Sequence, residues 1–294
     1  MPVRDPAGFA AAAFLAACRA ELQALKPGNV HVFAPGHGMD VRHFEDAAAA
    51  AAPVIAAPGL TVGARIGRAV EASLAAAGCN TNLGIVLLSA PLIAAAAGET
   101  AGPCTDTAGA QAEPATRRRA GLRQRLVTVL AGLDMADAQA AFAAITRANP
   151  GGLGASETAD VRAPARIDLR AAMALAADRD RIARQYVTDF ADVFEIGVPA
   201  LETRPDAPHG VENAYLALLA AFPDSHIARK FDDATAEGVR READQLRRDI
   251  ATAAPAARRA ALAAFDTRLK ARGLNPGTTA DLTVASILAA LLAL

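Results

Sequence analysis

Apolar residues recur at helical spacing along most of this chain. Near the N-terminus, Leu15, Cys18, Leu22 and Leu25 are three or four positions apart, which places them on one face of a helix over residues 7–25. Runs rich in the β-branched and aromatic residues that favour strands are hard to find. The pattern therefore predicts an all-α protein.

The same periodicity, interrupted by turn residues, predicts a bundle of about ten helices. Pro27 and Gly28 end the first helix, and Gly78 ends the third. No internal repeat or linker divides the sequence, so we expect residues 1–294 to form a single domain. The predicted helices cover residues 7–25, 40–52, 61–77, 82–97, 115–132, 134–147, 167–194, 210–221, 233–250, 254–272 and an apolar C-terminal segment.

Three segments depart from the amphipathic pattern. Residues 82–97 are apolar all round, which predicts a buried central helix. Residues 98–114 and 149–161 are rich in glycine and small polar residues, which predicts loops. The first of these loops is the candidate for a mobile lid.

Composition supports the helical interpretation. Hydrophobic residues make up 53% of the 294 positions, but aromatic residues make up only 4% and tryptophan is absent. The apolar content is therefore mostly alanine, which favours helices packed at close range.

Charge, apolar runs and cysteine spacing limit the partners and the compartment. A formal net charge of -1 gives no electrostatic footprint for nucleic acid. The longest apolar run contains Pro91 and is too short to span a bilayer. Cysteines at 18, 79 and 104 form no C-x-x-C pair, which indicates neither a disulfide framework nor a zinc site. We therefore expect a cytoplasmic protein that binds neither nucleic acid nor membrane.

Four short polar segments interrupt the alanine-rich pattern, at residues 24–50, 78–84, 223–230 and 275–282. Two of them begin apolar helices, where exposed backbone N–H groups suit an anionic ligand. Ordinary N-capping is the alternative for these residues. The polar side chains at these two helix starts are Asn80, Thr81, Asn82, Thr278, Thr279 and Asp281.

Four carboxylates, Glu21, Asp40, Glu71 and Asp281, border apolar stripes or helix starts. If they cluster, they suit a divalent metal ion that holds phosphates, or a cationic sugar in a transition state. Each of them alone could instead be a solvated boundary residue.

The histidines at 31, 37 and 43 are six positions apart, which matches no zinc-ligand spacing. His31 or His37 could contact phosphate or donate a proton. His43 lies within a helical pattern and is expected to be structural.

These segments, in this order, resemble the triphosphoribosyl-dephospho-CoA synthase family. The family pattern has a Glu one turn before Lys-Pro-Gly, then a Gly-x-His segment, an Asn-Thr helix start and a C-terminal Pro-Gly helix start. The helix containing Glu71 also resembles the family. The other matching residues are Glu21, Lys26, Pro27, Gly28, Gly36, His37, Met39, Asp40, Asn80, Thr81, Gly84, Pro276, Gly277, Ala280, Asp281 and Leu282.

The resemblance implies an all-helical transferase. In the family reaction, the 2′-hydroxyl of 3′-dephospho-CoA attacks C1 of the ATP ribose and adenine leaves. The resemblance implies catalytic roles for Glu21, Asp40, Glu71 and His37. It also implies Glu21, Asp40 and Glu71 as ligands of the Mg²⁺ that accompanies ATP or a related phosphorylated ribosyl donor. The implied substrate- and phosphate-binding residues are Lys26, Gly28, His31, Asn80, Thr81, Asn82, Gly84, Gly277, Thr278, Thr279 and Asp281.

The chain also departs from the family pattern. Residues "NVHVF" replace an Asp-Arg pair after Lys-Pro-Gly, and Asn82-Leu83 replaces His-Lys. Loss of basic side chains beside a phosphate site indicates a divergent branch with a different donor or fewer phosphates.

Two other functions remain open from the sequence. One is phosphoribosyl transfer in the biosynthesis of a tetrahydromethanopterin-type one-carbon coenzyme. The other is a non-catalytic helical scaffold that binds a nucleotide. The acceptor and the oligomeric state cannot be read from the residues.

Overall fold

A computed structural model describes residues 5–36, 38–98, 114–150, 160–201 and 206–294. Within these ranges the secondary structure is helical and contains no strand, only two isolated β-bridges in residues 31–39. The all-α prediction is confirmed. His37 and the greater part of the two predicted loops lie outside the described residues.

Fourteen α-helices are present in the described part of the chain, rather than about ten. The first six are α1 Pro6–Gln23, α2 Val41–Ile55, α3 Val62–Ala77, α4 Leu83–Ala96, α5 Pro114–Ala131 and α6 Met135–Ala148. The middle of the chain forms α7 Leu169–Ala174, α8 Arg181–Val187, a π-helix at Val193–Gly197 and α9 Val198–Ala200. The last five are α10 Pro208–Ala221, α11 Ser225–Lys230, α12 Asp233–Asp249, α13 Pro255–Ala271 and α14 Gly277–Leu292.

The predicted single helix over residues 167–194 is wrong, because the chain turns twice within it. Asp180 begins a new helix by accepting hydrogen bonds from the backbone N–H groups of Ile182 and Ala183. Asp189 and Phe190 then adopt positive φ angles of 52° and 57°, which reverse the chain. This conformation is unfavourable for L-residues. It is held by burial of Phe190 and by an ion pair from Arg170 to Asp189.

Helix α4 is the buried central helix that the sequence predicts, and α14 is a second one. Nearly every side chain of both helices is buried, and the two helices pack against each other. Helix α14 is covered by α1 and α10. Helix α4 is flanked by α3 and α5. The starts of the two most apolar helices, residues 80–84 and 276–281, are therefore buried or half-buried.

No single helix in the described ranges combines the length and hydropathy needed to cross a bilayer. The helix pair Ala115–Ala131 and Met135–Ala148 meets those criteria only jointly, and it is bent by 94°.

Candidate functional site

One cavity of about 870 Å³ collects polar residues that are far apart in the sequence. Its wall includes residues of α1, the starts of α4 and α14, and residues of α6, α7, α8 and α11. The charged and polar lining residues are Glu21, Asn29, Asn80, Thr81, Asn149, Asp160, Arg179, Asp180, His226, Arg229, Asp233, Asn275, Thr278 and Asp281. Apolar lining comes mainly from α4, α6 and α7, through Leu83, Ile85, Leu87, Phe142, Ile145, Ala172 and Met173.

Glu21 reaches the cavity from α1 and is paired with Lys26. Lys26 is fully buried, and its ammonium group donates to the Glu21 carboxylate, to Oδ1 of Asn29 at 2.9 Å and to the Val30 carbonyl at 2.8 Å. Three acceptors around one nitrogen match the three protons of a charged ammonium. Burial raises the pKa of Glu21 and lowers that of Lys26, while attraction between the two opposes both shifts.

The resemblance implied that Lys26 binds phosphate, but the position of this side chain does not allow it. All three of its donors are used inside the protein, and it does not line the cavity. Its position instead fixes the Glu21 carboxylate against the cavity wall.

Asp281 lies in the first turn of α14 and faces the same cavity. Its side chain makes no hydrogen bond or ion pair with any residue that the structure describes. Burial is the largest cause that raises the pKa of Asp281 well above the usual range. The nearby carboxylates of Glu21, Asp224 and Asp180 raise it further. Perturbed, unpartnered carboxyl groups in a cleft are typical of functional sites.

Gly84 brings α4 into direct contact with this carboxyl group. A Cβ atom on residue 84 would lie 2.1 Å from Oδ2 of Asp281 and 2.7 Å from Cδ1 of Ile182. The carboxyl group of Asp281 is therefore packed between the first turn of α4 and an apolar side chain of α8.

The three polar residues at the start of α4 have different roles. Asn80 accepts the N–H of Leu83 at 3.3 Å, whereas Asn82 turns inward and donates to Ser73 at 2.9 Å. The hydroxyl oxygen of Thr81 is buried and has no hydrogen-bond partner, although Thr81 lines the cavity. A buried hydroxyl without a partner is costly, which favours a ligand group at this position.

The start of α14 is fixed by Asp224, which the sequence analysis did not select. Oδ2 of this buried carboxylate accepts the backbone N–H and the hydroxyl of Thr279, both at 2.8 Å. Its other oxygen caps α11 through the N–H groups of His226 and Ile227. Thr279 is thus a structural anchor, whereas Gly277 and Thr278 line the cavity.

Sequence reasoning missed several other polar residues of the cavity wall, among them Asp180, His226 and Arg229. Asp180 caps α8 and pairs with Nη1 of Arg229 at 3.3 Å. His226 and Arg229 belong to the "PDSHIARK" segment, which stood out in the sequence only as a polar interruption. Asp180 has the pattern of an ordinary N-cap, so its place beside the cavity could not be read from the sequence.

Several predicted site residues lie elsewhere. Asp40 is the exposed N-cap of α2, where it pairs with His43. Glu71 is on the exposed face of α3 in an ion pair with Arg147. Neither carboxylate lines the cavity, because both lie on the exposed surface of their helices.

In the segment after Lys26, Asn29 lines the cavity, whereas Gly28 and His31 are folded against α13. Gly28 has a φ angle of 83° and donates its N–H to Asp266 at 2.8 Å. His31 is buried, with Nε2 3.3 Å from Asp266 and 3.4 Å from Lys270. Burial, together with the positive charges of Lys270 and Lys26, lowers the pKa of His31, although the contact with Asp266 acts in the opposite direction. The neutral form is therefore favoured, as for a structural histidine.

The predicted metal triad of Glu21, Asp40 and Glu71 is therefore not assembled. Within the described ranges, no three His, Cys, Asp or Glu side chains are close enough to hold a metal ion. The residues that the structure describes thus do not form the predicted resident metal site.

Comparisons with known proteins agree on one family. The sequence model of CitG, ATP:dephospho-CoA triphosphoribosyl transferase, matches residues 7–294. A solved structure from Archaeoglobus fulgidus, provisionally named a triphosphoribosyl-dephospho-CoA synthase, is 27% identical and has a TM-score of 0.63. The match covers 83% of this chain and 96% of that one. No curated protein matches the sequence significantly. From the near-complete family match and the shared fold, the chain belongs to the CitG family of ATP:dephospho-CoA triphosphoribosyl transferases.

Proposed function

We propose that this protein transfers the triphosphoribosyl group of ATP to the 2′-hydroxyl of 3′-dephospho-CoA and releases adenine. The observation that carries the proposal is the pair of carboxyl groups, Glu21 and Asp281, on the wall of one large cavity. Displacement at the ribose C1 passes through an oxocarbenium-like state, which nearby carboxylates stabilise. Family membership supports this transferase over the scaffold alternative.

The rest of the wall supports binding of a nucleotide with phosphates. Apolar side chains of α4, α6 and α7 offer a surface for the adenine ring, as in most small-molecule sites. Thr81 and Thr278, at the starts of α4 and α14, supply hydroxyl groups for phosphate oxygens. Arg179 and Arg229 are the lining residues with positive charge in the described part of the chain.

We propose that Mg²⁺ enters with the triphosphate as its counter-ion, rather than as a resident ion. Besides Asp281, the cavity lining contains four acidic side chains, Glu21, Asp160, Asp180 and Asp233, whose negative charges would repel an uncompensated triphosphate. Mg²⁺ neutralises phosphate charge when bound, and it is commonly held through substrate phosphates. Chelation with EDTA should therefore abolish turnover without unfolding the protein.

We also propose that the protein acts in the cytoplasm. The support is the presence of free thiols at Cys18 and Cys79, together with a substrate, ATP, that belongs to a reducing compartment.

The identity of the products tests the proposed function. Incubation with ATP, Mg²⁺ and dephospho-CoA should release free adenine, measured by chromatography. Release of ADP or AMP would mean phosphoryl or nucleotidyl transfer and would overturn the proposal. If adenine is released only when a pterin-type acceptor replaces dephospho-CoA, the protein acts instead in one-carbon coenzyme biosynthesis.

A further inference from the structure

Glu21 and Asp281 face the same cavity in opposite local environments. The Glu21 carboxylate is held by a lysine ammonium group, whereas Asp281 has no hydrogen-bonding or ionic partner among the described residues. Asp281 is also packed against Gly84 and Ile182, so part of its surroundings is apolar. When two carboxyl groups in one site differ in this way, one stays ionised and the other keeps its proton.

From this geometry we infer that Asp281 is the general acid that protonates the departing adenine, and that Glu21 is the base that accepts the proton of the attacking hydroxyl. The inference rests on the proposed function and goes beyond it by dividing the chemistry between two named side chains.

The step balances in protons and electrons. The bond between C1 of the ribose and N9 of the adenine in ATP breaks. Its electron pair goes to the departing adenine, which gains one proton from Asp281. A lone pair of the acceptor 2′-hydroxyl forms the new bond to C1, and the hydroxyl proton passes to Glu21. Proton return from Glu21 to Asp281, directly or through solvent, restores the protein.

The position of Asp281 supports the acid role. It lies next to the α4 start, and the apolar lining suited to adenine begins there with Leu83 and Ile85. Burial and the adjacent carboxylates favour the protonated form, since they raise the pKa of Asp281. The groups that act electrostatically on it are Cys18, Glu21, Lys26, Asp180, Asp224 and Arg229.

A donor that needs no acid provides the test. In 4-nitrophenyl ribofuranoside 5′-triphosphate, the leaving nitrophenolate is a stable anion and requires no proton. With ATP, Asp281→Asn should lower kcat by roughly 10²–10⁴-fold, the usual size of an acid–base contribution. With the nitrophenyl donor, the same variant should retain nearly the wild-type rate.

Two variants serve as comparisons. Glu21→Gln should slow transfer from both donors, because the acceptor hydroxyl loses its base in each case. Asp46→Asn, a matched change on the exposed face of α2 and outside the cavity, should slow neither.

The wild-type protein gives an independent readout. The ratio of the rate with ATP to the rate with the nitrophenyl donor should fall as pH rises through the pKa of Asp281, because only ATP needs the protonated carboxyl group. Groups that affect both donors cancel in this ratio. A pH-independent ratio, or an equal loss with both donors in Asp281→Asn, would overturn the acid assignment. Absence of adenine release by the wild-type protein would instead overturn the proposed function.

Discussion

At the scale of single residues, the contact between Gly84 and Asp281 sets the position of the key carboxyl group. Glycine at this position lets the carboxyl oxygen approach the α4 backbone more closely than any side chain would permit. The residue is therefore required by the site, although it lies in the first turn of a helix, where glycine is unfavourable.

We predict that Gly84→Ala displaces the Asp281 carboxyl group and lowers kcat for adenine release. Overpacking of this kind typically costs about 1–3 kcal/mol of unfolding free energy. The matched control is Gly238→Ala in α12, where an added Cβ meets no atom within 4 Å. That variant should keep full activity and gain stability. Wild-type activity in Gly84→Ala would contradict the account of Asp281.

The ion pair between Glu21 and Lys26 gives a second prediction. Lys26→Met leaves the Glu21 carboxylate buried without a cation, which should cost about 3–5 kcal/mol in the free energy of unfolding. The double variant Glu21→Gln with Lys26→Met removes both charges and should recover part of this loss. Urea denaturation measures both effects. The pairing would be refuted if the double variant lost as much unfolding free energy as the two single variants combined, or more.

Side-chain chemistry and spacing predicted some of the site residues but not their partners. Glu21, Asn80 and Asp281, separated by up to 260 positions, do line one cavity. Asp40 and Asp224 are both helix caps with the same local pattern, yet only Asp224 lies between the ends of two converging helices. That difference depends on tertiary packing, which no local pattern contains.

At the scale of elements, Asp224 joins two helix starts through one buried carboxylate. One oxygen caps α11, which carries His226 and Arg229, and the other holds the first turn of α14. The relative position of two walls of the cavity therefore depends on this side chain.

Replacement of Asp224 by alanine should lower the free energy of unfolding by about 2–4 kcal/mol, because α11 loses its cap and the buried N–H of Thr279 loses its acceptor. Activity should fall as well, because α11 and α14 would shift relative to each other. Thr61→Ala is the matched control: it removes the cap of α3, outside the cavity, and should cost about 1 kcal/mol with no change in kcat. Equal activity losses in the two variants would contradict a specific role for Asp224.

Helices with clear start and stop residues were predicted to within a few residues. Helix α3 begins after Thr61 and ends at the left-handed Gly78, as expected. The segment at 167–194 was mispredicted because its turns use Asp189 and Phe190 rather than glycine or proline. Their positive φ angles are imposed by burial and an ion pair, which are tertiary effects.

At the scale of the whole molecule, two buried apolar helices bring their N-terminal ends to one acidic cavity. A helical bundle can expose backbone and polar groups to a ligand only where helices begin or end. Here α4 and α14 begin beside each other, and α1 supplies the opposing carboxylate. The same packing that buries the core thus creates the cavity in which we propose that the reaction at the ribose C1 takes place.

The most direct test of this account quantifies both products in one reaction. Adenine and the mass-shifted dephospho-CoA are measured together for the wild-type protein and for Glu21→Gln, after circular dichroism confirms that the variant is folded. We predict equal amounts of the two products from the wild type and strongly reduced amounts of both from Glu21→Gln. Adenine without the coenzyme adduct, or wild-type rates in Glu21→Gln, would contradict transfer in this cavity.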